Sequence, residues 1–367
     1  MKDIDIVDNN TEQSQETQQP AHVVSRAEMD GVHELANRML QELSKLPDGD
    51  LVGEMIANNL KLFRDNANRG DMKLMMKSFK ELRYALKIFA PYRQTRKVSI
   101  FGSARTPESH PDYLAAAEFG KKMAALGYMV ITGAGGGIMA AGHGGAGAEP
   151  SFGLAIRLPF EQKTNAFIEG DPKLINFKYF FTRKLMFVRS SHATAIFPGG
   201  FGTMDEGFEV LTLVQTGKSV PQPIVFVEAK GGDYWAPMQQ FILNTLLKRG
   251  LIGHEDLHLH KITDDIDEAV QDIAHFYSNY HSLRYTRDEL LLRIKRAPNA
   301  KQLDEIKATF DHLGLGNKNA AFRVTEALPI ERDEPALANL ARLAFKFNQR
   351  DQGGLRLLIN YLNNMPT

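Results

Sequence analysis

The alternation of short apolar runs with helical stretches between Lys97 and about Tyr280 is the feature that most constrains the fold. The apolar runs have the length of buried strands, and the stretches between them have helical periodicity. In chain order the runs are VSIF, YMVIT, FGLAI, ATAIF and PIVFV, and the helical stretches are 111–126, 138–146, 182–190 and 203–217. Strands joined through helices make right-handed crossovers, which place the strands parallel and the helices on both faces. The sequence therefore predicts an α/β, doubly wound, Rossmann-like domain over 96–282, with a last helix from about Asp265.

The segment before this domain has a different pattern. Residues 1–22 lack hydrophobic periodicity and are expected to form a disordered tail. Residues 23–95 are predicted to form a helical N-terminal extension, which ends near Pro91. Apolar residues recur there at steps of three and four, as on one face of a helix. They are Leu74, Met75, Phe79, Leu82, Leu86 and Phe89.

The C-terminal extension, 283–367, is also predicted to be helical. Thr286 followed by Glu289 has the spacing of a capping box, which would open a helix over 288–297 that Pro298 ends. Three further helices are expected at about 299–313, 335–348 and 353–364.

Composition excludes several classes of protein. The 367 residues include 44 basic and 44 acidic side chains, so no net field favours nucleic acid or an anionic membrane as a partner. The absence of cysteine excludes disulfides, thiolate metal ligands and cysteine nucleophiles.

The polar, acidic N-terminus does not resemble a signal peptide, and no apolar run approaches the roughly 18 residues of a membrane helix. We expect a cytoplasmic location. A metal site is not predicted, because a partly exposed strand explains His258 and His260 better.

Open parallel sheets bind ligands at the carboxyl ends of their strands, and three such ends carry unusual loops here. The first is Gly102-Ser103-Ala104-Arg105, whose glycine permits close approach and whose polar side chains can donate to phosphate or ribose oxygens. A simple strand–helix turn explains it equally well. The second, Thr132–Met139, is rich in glycine but lacks the acidic residue that holds ribose in dinucleotide sites. A mononucleotide or phosphate pocket is therefore favoured over a dinucleotide site.

The third loop, PGGFGTMDE over 198–206, carries the strongest signal. A Gly-rich turn that enters a helix presents unpaired N–H groups and the positive end of the helix dipole to an anion. Thr203 can cap the helix and donate to phosphate, and Glu206 would point into the same opening. A carboxylate beside an anion site is unfavourable without a task or a nearby cation. The alternative is that Asp205 and Glu206 simply complement the helix N-terminus.

The third loop resembles the PGGxGTxxE signature of the LOG family of nucleoside 5′-monophosphate phosphoribohydrolases, also labelled "lysine decarboxylase-like". The resemblance covers about residues 95–280. Arg183-Lys184 precedes the fourth apolar run at the family's spacing, and GAGGGIM is similar to the family's other Gly-rich loop. The other matching positions are Leu158-Pro159, Asn165, Thr212, Gln215 and Gly217. The flanking extensions resemble only the longer bacterial members.

The resemblance implies hydrolysis of the N-glycosidic bond of a nucleoside monophosphate, with Arg183 and Glu206 as the catalytic pair. It implies no metal and no cofactor. A pyridoxal phosphate adduct on Lys184, which the decarboxylase label suggests, would need a larger chain and an acidic partner for the pyridinium. A homodimer or higher homo-oligomer is also implied. The predicted substrate-binding residues are Gly102, Ser103, Gly135, Gly136, Gly137, Met139, Lys184, Pro198, Gly199, Gly200, Gly202 and Thr203.

Four positions depart from the family pattern. Ala140, His143 and Gly144 stand where longer members usually have Glu and then Asn-Arg, and Gly207 replaces an apolar residue. These differences leave the substrate preference open. They also leave a second hypothesis open, namely that the chain is a nucleotide-binding regulatory protein with little or no turnover.

Overall fold

The computed structural model describes residues 26–157 and 163–366. The tail predicted at 1–22 and the Leu158-Pro159 pair therefore lie outside the described residues. Contacts divide the chain into two compact units, one that ends at Met76 and one that begins at Lys77. Three helices precede the first strand, as predicted: α1 (Arg26–Leu43), α2 (Gly49–Arg64) and α3 (Arg69–Phe89).

A parallel sheet forms the centre of the second unit. Its strands are β1 (Lys97–Phe101), β2 (Met129–Thr132), β3 (Ser151–Ile156), β4 (Leu174–Phe177), β5 (Ala193–Ile196), β6 (Ile224–Val227) and β7 (Lys261–Thr263). The helices between them are α4 (Pro111–Ala125), α5 (Ile138–Ala146), α6 (Phe180–Ser190), α7 (Phe201–Gln215), α8 (Ala236–Phe241) and α9 (Ile266–Phe276). All neighbouring strands pair in parallel. The predicted doubly wound α/β class is confirmed.

The strand order β4-β3-β2-β1-β5-β6-β7 determines where a ligand can bind. Successive strands extend from β1 in one direction up to β4 and from β5 in the other direction up to β7. At such a reversal the loops at the carboxyl ends turn away from each other and leave a crevice. Phe101 at the end of β1 is in register with Ile196 at the end of β5. The loops after these two strands therefore flank the crevice.

Helices cover both faces of the sheet. Helices α4 and α5 lie so close together that a Cβ at Gly145 would be 1.8 Å from the carbonyl oxygen of Ala117. On the other face, Phe89 at the end of α3 stacks on Phe152 of β3, with ring centroids 4.4 Å apart. Ala85, one turn earlier, is completely buried. The last two turns of α3 are therefore part of the hydrophobic core under the sheet.

The C-terminal extension is only partly helical. Its elements are β8 (Tyr280–Tyr285), β9 (Leu290–Ile294), α10 (Ala300–Phe310), β10 (Arg323–Thr325), β11 (Ala341–Phe345) and α11 (Gln352–Asn364). The four strands form an antiparallel sheet in the order β10-β11-β9-β8. The helices predicted at 299–313 and 353–364 are confirmed as α10 and α11. Those predicted at 288–297 and 335–348 are wrong, because these segments contain β9 and β11.

Local hydrogen bonding explains the first of these errors. The Thr286 hydroxyl accepts a hydrogen bond from the Glu289 amide at 3.0 Å, as a helix cap would, but here it closes the turn between β8 and β9. Strand β9 lies between two neighbours and is buried along its whole length, so its apolar residues do not alternate with polar ones. Such a run cannot be distinguished from a buried helix by periodicity alone. Neither described range contains a helix long and apolar enough to cross a membrane.

Candidate active site

Hydrogen bonds join the three Gly-containing loops at the carboxyl edge of the sheet. The Ser103 amide donates to the Pro198 carbonyl at 3.0 Å, and the Ile138 amide donates to the Ser103 carbonyl at 3.0 Å. Gly137 has a φ of 58°, and a Cβ there would lie 2.2 Å from the Ser103 carbonyl oxygen. Only glycine fits at this position. The three Gly-containing loops, which are far apart in the sequence, thus form one continuous surface.

This surface lines a cavity of about 740 Å³. The predicted residues that line it are Gly102, Ser103, Gly135, Met139, Arg183, Gly199, Gly200, Gly202, Thr203 and Glu206. Pockets for small ligands usually measure roughly 300 to 1,000 Å³, so a nucleoside monophosphate is within range. Gly136, Gly137 and Pro198 do not line the cavity. Gly137 and Pro198 instead contact Ser103, and these contacts hold the three loops together.

Lys184 also lies outside the cavity lining, contrary to its prediction as a binding residue. Its ammonium group is 2.8 Å from an Asp205 carboxylate oxygen and 2.6 Å from one of Glu209. Consecutive residues on a helix point about 100° apart, so when Arg183 faces the cavity Lys184 cannot. It lines a neighbouring shallow hollow formed by α6 and α7.

The turn before α7 is open toward the cavity. Gly200 is the N-cap of α7 and has no side chain to pair the first N–H groups, so the prediction that Thr203 caps this helix is wrong. A Cβ at Gly200 or Gly202 would meet no heavy atom within 4 Å. The turn is held by the hydroxyl of Tyr234, a residue that also lines the cavity and that donates to the Gly199 carbonyl. A ligand can therefore approach the free N–H groups of α7 closely.

Arg183 and Glu206 lie next to each other in the lining of the cavity. The Nη2 atom of Arg183 lies 3.8 Å from Oε1 of Glu206, and only 7% of the Glu206 side chain is exposed. Burial raises the pKa of Glu206 to about 7, although the charges of Lys184 and Arg183 oppose this shift. Near neutral pH, both the acid and the carboxylate forms of Glu206 are populated. This is the property that a general acid or base requires.

His143, one of the departures from the family pattern, supports the second Gly-rich loop. It is completely buried, and burial lowers its pKa, so the imidazole is neutral. Its Nε2–H donates to the Phe152 carbonyl at 3.0 Å, which leaves Nδ1 to accept from the Asn165 amide at 3.2 Å. Asn165 also donates to the Gly135 carbonyl at 3.0 Å. His143 thus positions the loop and does not reach the cavity.

Several cavity residues were not among the predicted site residues. Arg105 and Lys163 also line it, so among the described residues the cavity has three cationic side chains, these two and Arg183, and one carboxylate, Glu206. The others include Thr164, Phe180, Phe187 and Tyr234. Phe180 and Phe187 lie three residues before and four residues after Arg183, on the same face of α6. This helical spacing is visible in the sequence and could have predicted both residues. Tyr234 comes from the loop after β6, where no glycine motif marks it. Within 26–157 and 163–366 no group of three or more metal-ligating side chains occurs.

The fold and this cavity define an α/β protein with an uncapped, Gly-rich helix start at its switch point. Residues 136–273 match the model of a protein family described as "Possible lysine decarboxylase". This match covers less than half of the chain and agrees with the resemblance of the Gly-rich signature to the LOG family. No curated protein matches the sequence.

Several solved structures are similar to about half of this chain at low sequence identity. The X-ray structure of TM1055 is 20% identical over 49% of this chain and 98% of that chain, with a TM-score of 0.36. A molybdenum cofactor carrier protein from Chlamydomonas reinhardtii is 19% identical over 49% of this chain and 96% of its own, with a TM-score of 0.34. DNA processing protein A from Helicobacter pylori is 14% identical over 51% and 83%, with a TM-score of 0.35. Such distant similarities do not indicate what this chain binds.

Proposed function

We propose that this protein hydrolyses the N-glycosidic bond of nucleoside 5′-monophosphates, releasing a free base and ribose 5-phosphate. The observation that carries the proposal is the buried Glu206 carboxylate, 3.8 Å from Arg183 and one turn inside the helix whose free N–H groups face the cavity. An anion site and a carboxylate of raised pKa are thereby combined in one cavity. The LOG-family domain supports this class of reaction.

The chemistry follows from these groups. The 5′-phosphate binds at the N-terminus of α7, where N–H groups and the helix dipole favour an anion. Arg183 holds a phosphate or ribose oxygen and fixes the sugar beside Glu206. As the base leaves with the bonding electrons, positive charge develops on the ribose, and ionised Glu206 stabilises it. Glu206 then takes a proton from the attacking water, whose oxygen bonds to C1′, and this proton passes through solvent to the departing base, which restores the Glu206 carboxylate.

A panel of substrates tests the proposal. The purified protein is incubated with AMP, GMP, CMP, UMP and IMP, and free base is measured by chromatography. Release of base from at least one nucleotide is expected. Nucleotide binding without any base release would support the alternative, a regulatory nucleotide-binding protein.

The pKa of Glu206 predicts the pH dependence of the reaction. Because the mechanism uses the carboxylate form, kcat/KM is expected to rise about tenfold per pH unit below pH 7 and to level off above it. The measurement is kcat/KM for the preferred nucleotide between pH 5 and 9, in the range where the protein stays folded. A rate that falls through pH 7 as the pH rises would mean that Glu206 acts as an acid instead.

We also propose that the protein is a homodimer through the outer faces of α6 and α7. Large apolar side chains are exposed there, and Phe201 is 96% exposed. The exposed apolar residues are Phe180, Phe181, Leu185, Phe201 and Phe208. This surface is continuous with the cavity because Phe180 and Phe201 line both. A second copy would bury these residues and close that side of the cavity.

Leu185→Glu tests the dimer because Leu185 is 51% exposed and does not line the cavity. Light scattering at micromolar concentration is expected to give twice the chain mass for the wild type and a single chain mass for the variant. Phe241→Glu, an exposed apolar residue on α8, is the matched control and should stay dimeric. A monomeric wild type would refute the dimer, and a dimeric Leu185→Glu would place the interface elsewhere.

A further inference from the structure

Helix α6, which carries Arg183, has no cap of its own. Its N-cap residue, Tyr179, makes no capping side-chain hydrogen bond. The Arg183 amide makes the first bond of the helix, to the Tyr179 carbonyl, and this bond is long at 3.3 Å. A helix start without a cap leaves donors unpaired and frays readily.

A carboxylate from another helix instead anchors the start of α6, through the amide that precedes its N-cap and through a side chain of its first turn. Glu81 of α3 accepts a hydrogen bond from the Lys178 amide at 2.8 Å and another from the Thr182 hydroxyl at 2.6 Å. The Thr182 side chain is completely buried, and its hydroxyl has two protein acceptors, the Glu81 carboxylate and the Tyr179 carbonyl at 2.9 Å. The negative charge of Glu81 also lies at the positive end of the α6 dipole.

Arg183 depends on this helix because few polar contacts hold its own side chain. Its Nε atom is buried and has no hydrogen-bond partner among the described residues. Glu206 is 3.8 Å away, beyond hydrogen-bond distance. The guanidinium instead lies 5.1 Å from the ring of Phe180 and 5.8 Å from that of Phe187, both on α6. Its position is therefore set by the backbone of the first turns of α6.

We propose that Glu81 is a positioning residue for Arg183, through its contacts with Lys178 and Thr182 at the start of α6. The inference rests on the proposed function for the identity of the ligand. Burial of Ala85 and the stacking of Phe89 on Phe152 hold α3 against the core and fix where the Glu81 carboxylate stands. The end of α3, outside the domain boundary predicted at residue 96, is thereby a component of the active site.

A double-mutant cycle on AMP binding tests the proposal, with affinities measured by calorimetry on the full chain carrying Glu206→Gln, so that AMP is not cleaved during the titration. Glu81→Ala is expected to weaken binding about tenfold, because a small displacement of a substrate-holding arginine is costly. In an Arg183→Ala background the same substitution should change affinity less than about twofold, because the residue through which it acts is gone. Glu81→Gln, which keeps an acceptor for the Lys178 amide, should lose less affinity than Glu81→Ala. Arg83→Gln, an exposed charge on the same helix, is the control and should have no effect.

Equal losses in both backgrounds would overturn the proposal and assign Glu81 a general structural role. A second measurement needs no ligand. The buried Nε–H of Arg183 should give a resolved NMR signal, assigned by its absence in Arg183→Ala. Glu81→Gln is expected to shift this signal and Arg83→Gln to leave it in place; an unshifted signal in Glu81→Gln would also refute the proposal. Because the signal is read without nucleotide, a wild type that binds or cleaves no AMP refutes the proposed function alone.

Discussion

Replacing Glu206 with glutamine is expected to lower kcat by about 10³-fold while nucleotide affinity changes little. Glutamine keeps the shape of the side chain but removes both its charge and its ability to take a proton from water. The anion site at the start of α7 and the Arg183 guanidinium remain. Base release from the preferred nucleotide measures turnover, and calorimetry measures binding.

Glu209→Gln is the matched control. Glu209 lies on the same helix but pairs with Lys184 outside the cavity lining, so its loss should change kcat less than about threefold. Undiminished turnover in Glu206→Gln would contradict the mechanism.

Stability provides a second check that Glu206→Gln is folded. The folded-state pKa of Glu206, about 7, lies above the ordinary glutamate value of 4.5, so ionisation of this group opposes folding. Its contribution to stability is fully present below pH 4.5 and is lost as the pH rises through 7. The shift corresponds to about 3 kcal/mol at most. Glu206→Gln should therefore melt at a higher temperature than the wild type at pH 8, with a difference that shrinks toward pH 5.

Removal of the 5′-phosphate from the substrate is expected to lower kcat/KM by about 10³-fold, which corresponds to about 4 kcal/mol. Phosphate binding is remote from the bond that breaks, but it positions the ribose beside Glu206. The comparison is between AMP and adenosine under identical conditions, or between another nucleotide and its nucleoside if AMP is not preferred. Ribose 5-phosphate should inhibit competitively. Comparable kcat/KM values for nucleotide and nucleoside would show that the turn before α7 has another role.

The variant Gly200→Ala tests whether the turn before α7 is the part of the protein that binds the 5′-phosphate. The added methyl meets no heavy atom of the protein within 4 Å, so the fold should tolerate it, yet it occupies the cavity edge where the phosphate would approach. The kcat/KM for the nucleotide should fall, whereas the low rate with the nucleoside should change little. An equal fall for both substrates would point to a distorted loop.

The central sheet was predictable because its signals are local. Strands β1, β2, β3, β5 and β6 coincide with the five apolar runs, and each Gly-rich loop follows directly from one of them. Strand β7 begins only at Lys261, so the prediction that His258 and His260 lie in a strand is wrong. Strand β4 was not predicted. Only two of its four side chains, Ile175 and Phe177, are buried, so its sequence is not the longer apolar run that indicates a buried strand. The C-terminal sheet was missed for a different reason. Thr286 makes the same hydrogen bonds in a hairpin that it would make as a helix cap, and only the pairing of β9 with β8 and β11 decides between them.

The candidate site was predictable where the residues belong to loops with a motif, and less so where tertiary contacts decide. Arg183 and Glu206 line the cavity as predicted, and their catalytic role stays a prediction. Whether Lys184 or its neighbour faces the cavity depends on the rotation of α6, which the pairing of Lys184 with Asp205 and Glu209 reveals. Tyr234 and Glu81 come from segments without any motif. Their contacts with Gly199 and α6 exist only once the chain has folded.

The central claim is cleavage between base and ribose, and the balance of products tests it most directly. The preferred nucleotide is incubated with the wild type, and free base, ribose 5-phosphate, nucleoside and inorganic phosphate are quantified over time, with Glu206→Gln as the blank. The account predicts free base and ribose 5-phosphate in equal amounts and neither nucleoside nor phosphate. Nucleoside and phosphate as the products, or nucleotide recovered intact after stoichiometric binding, would contradict it.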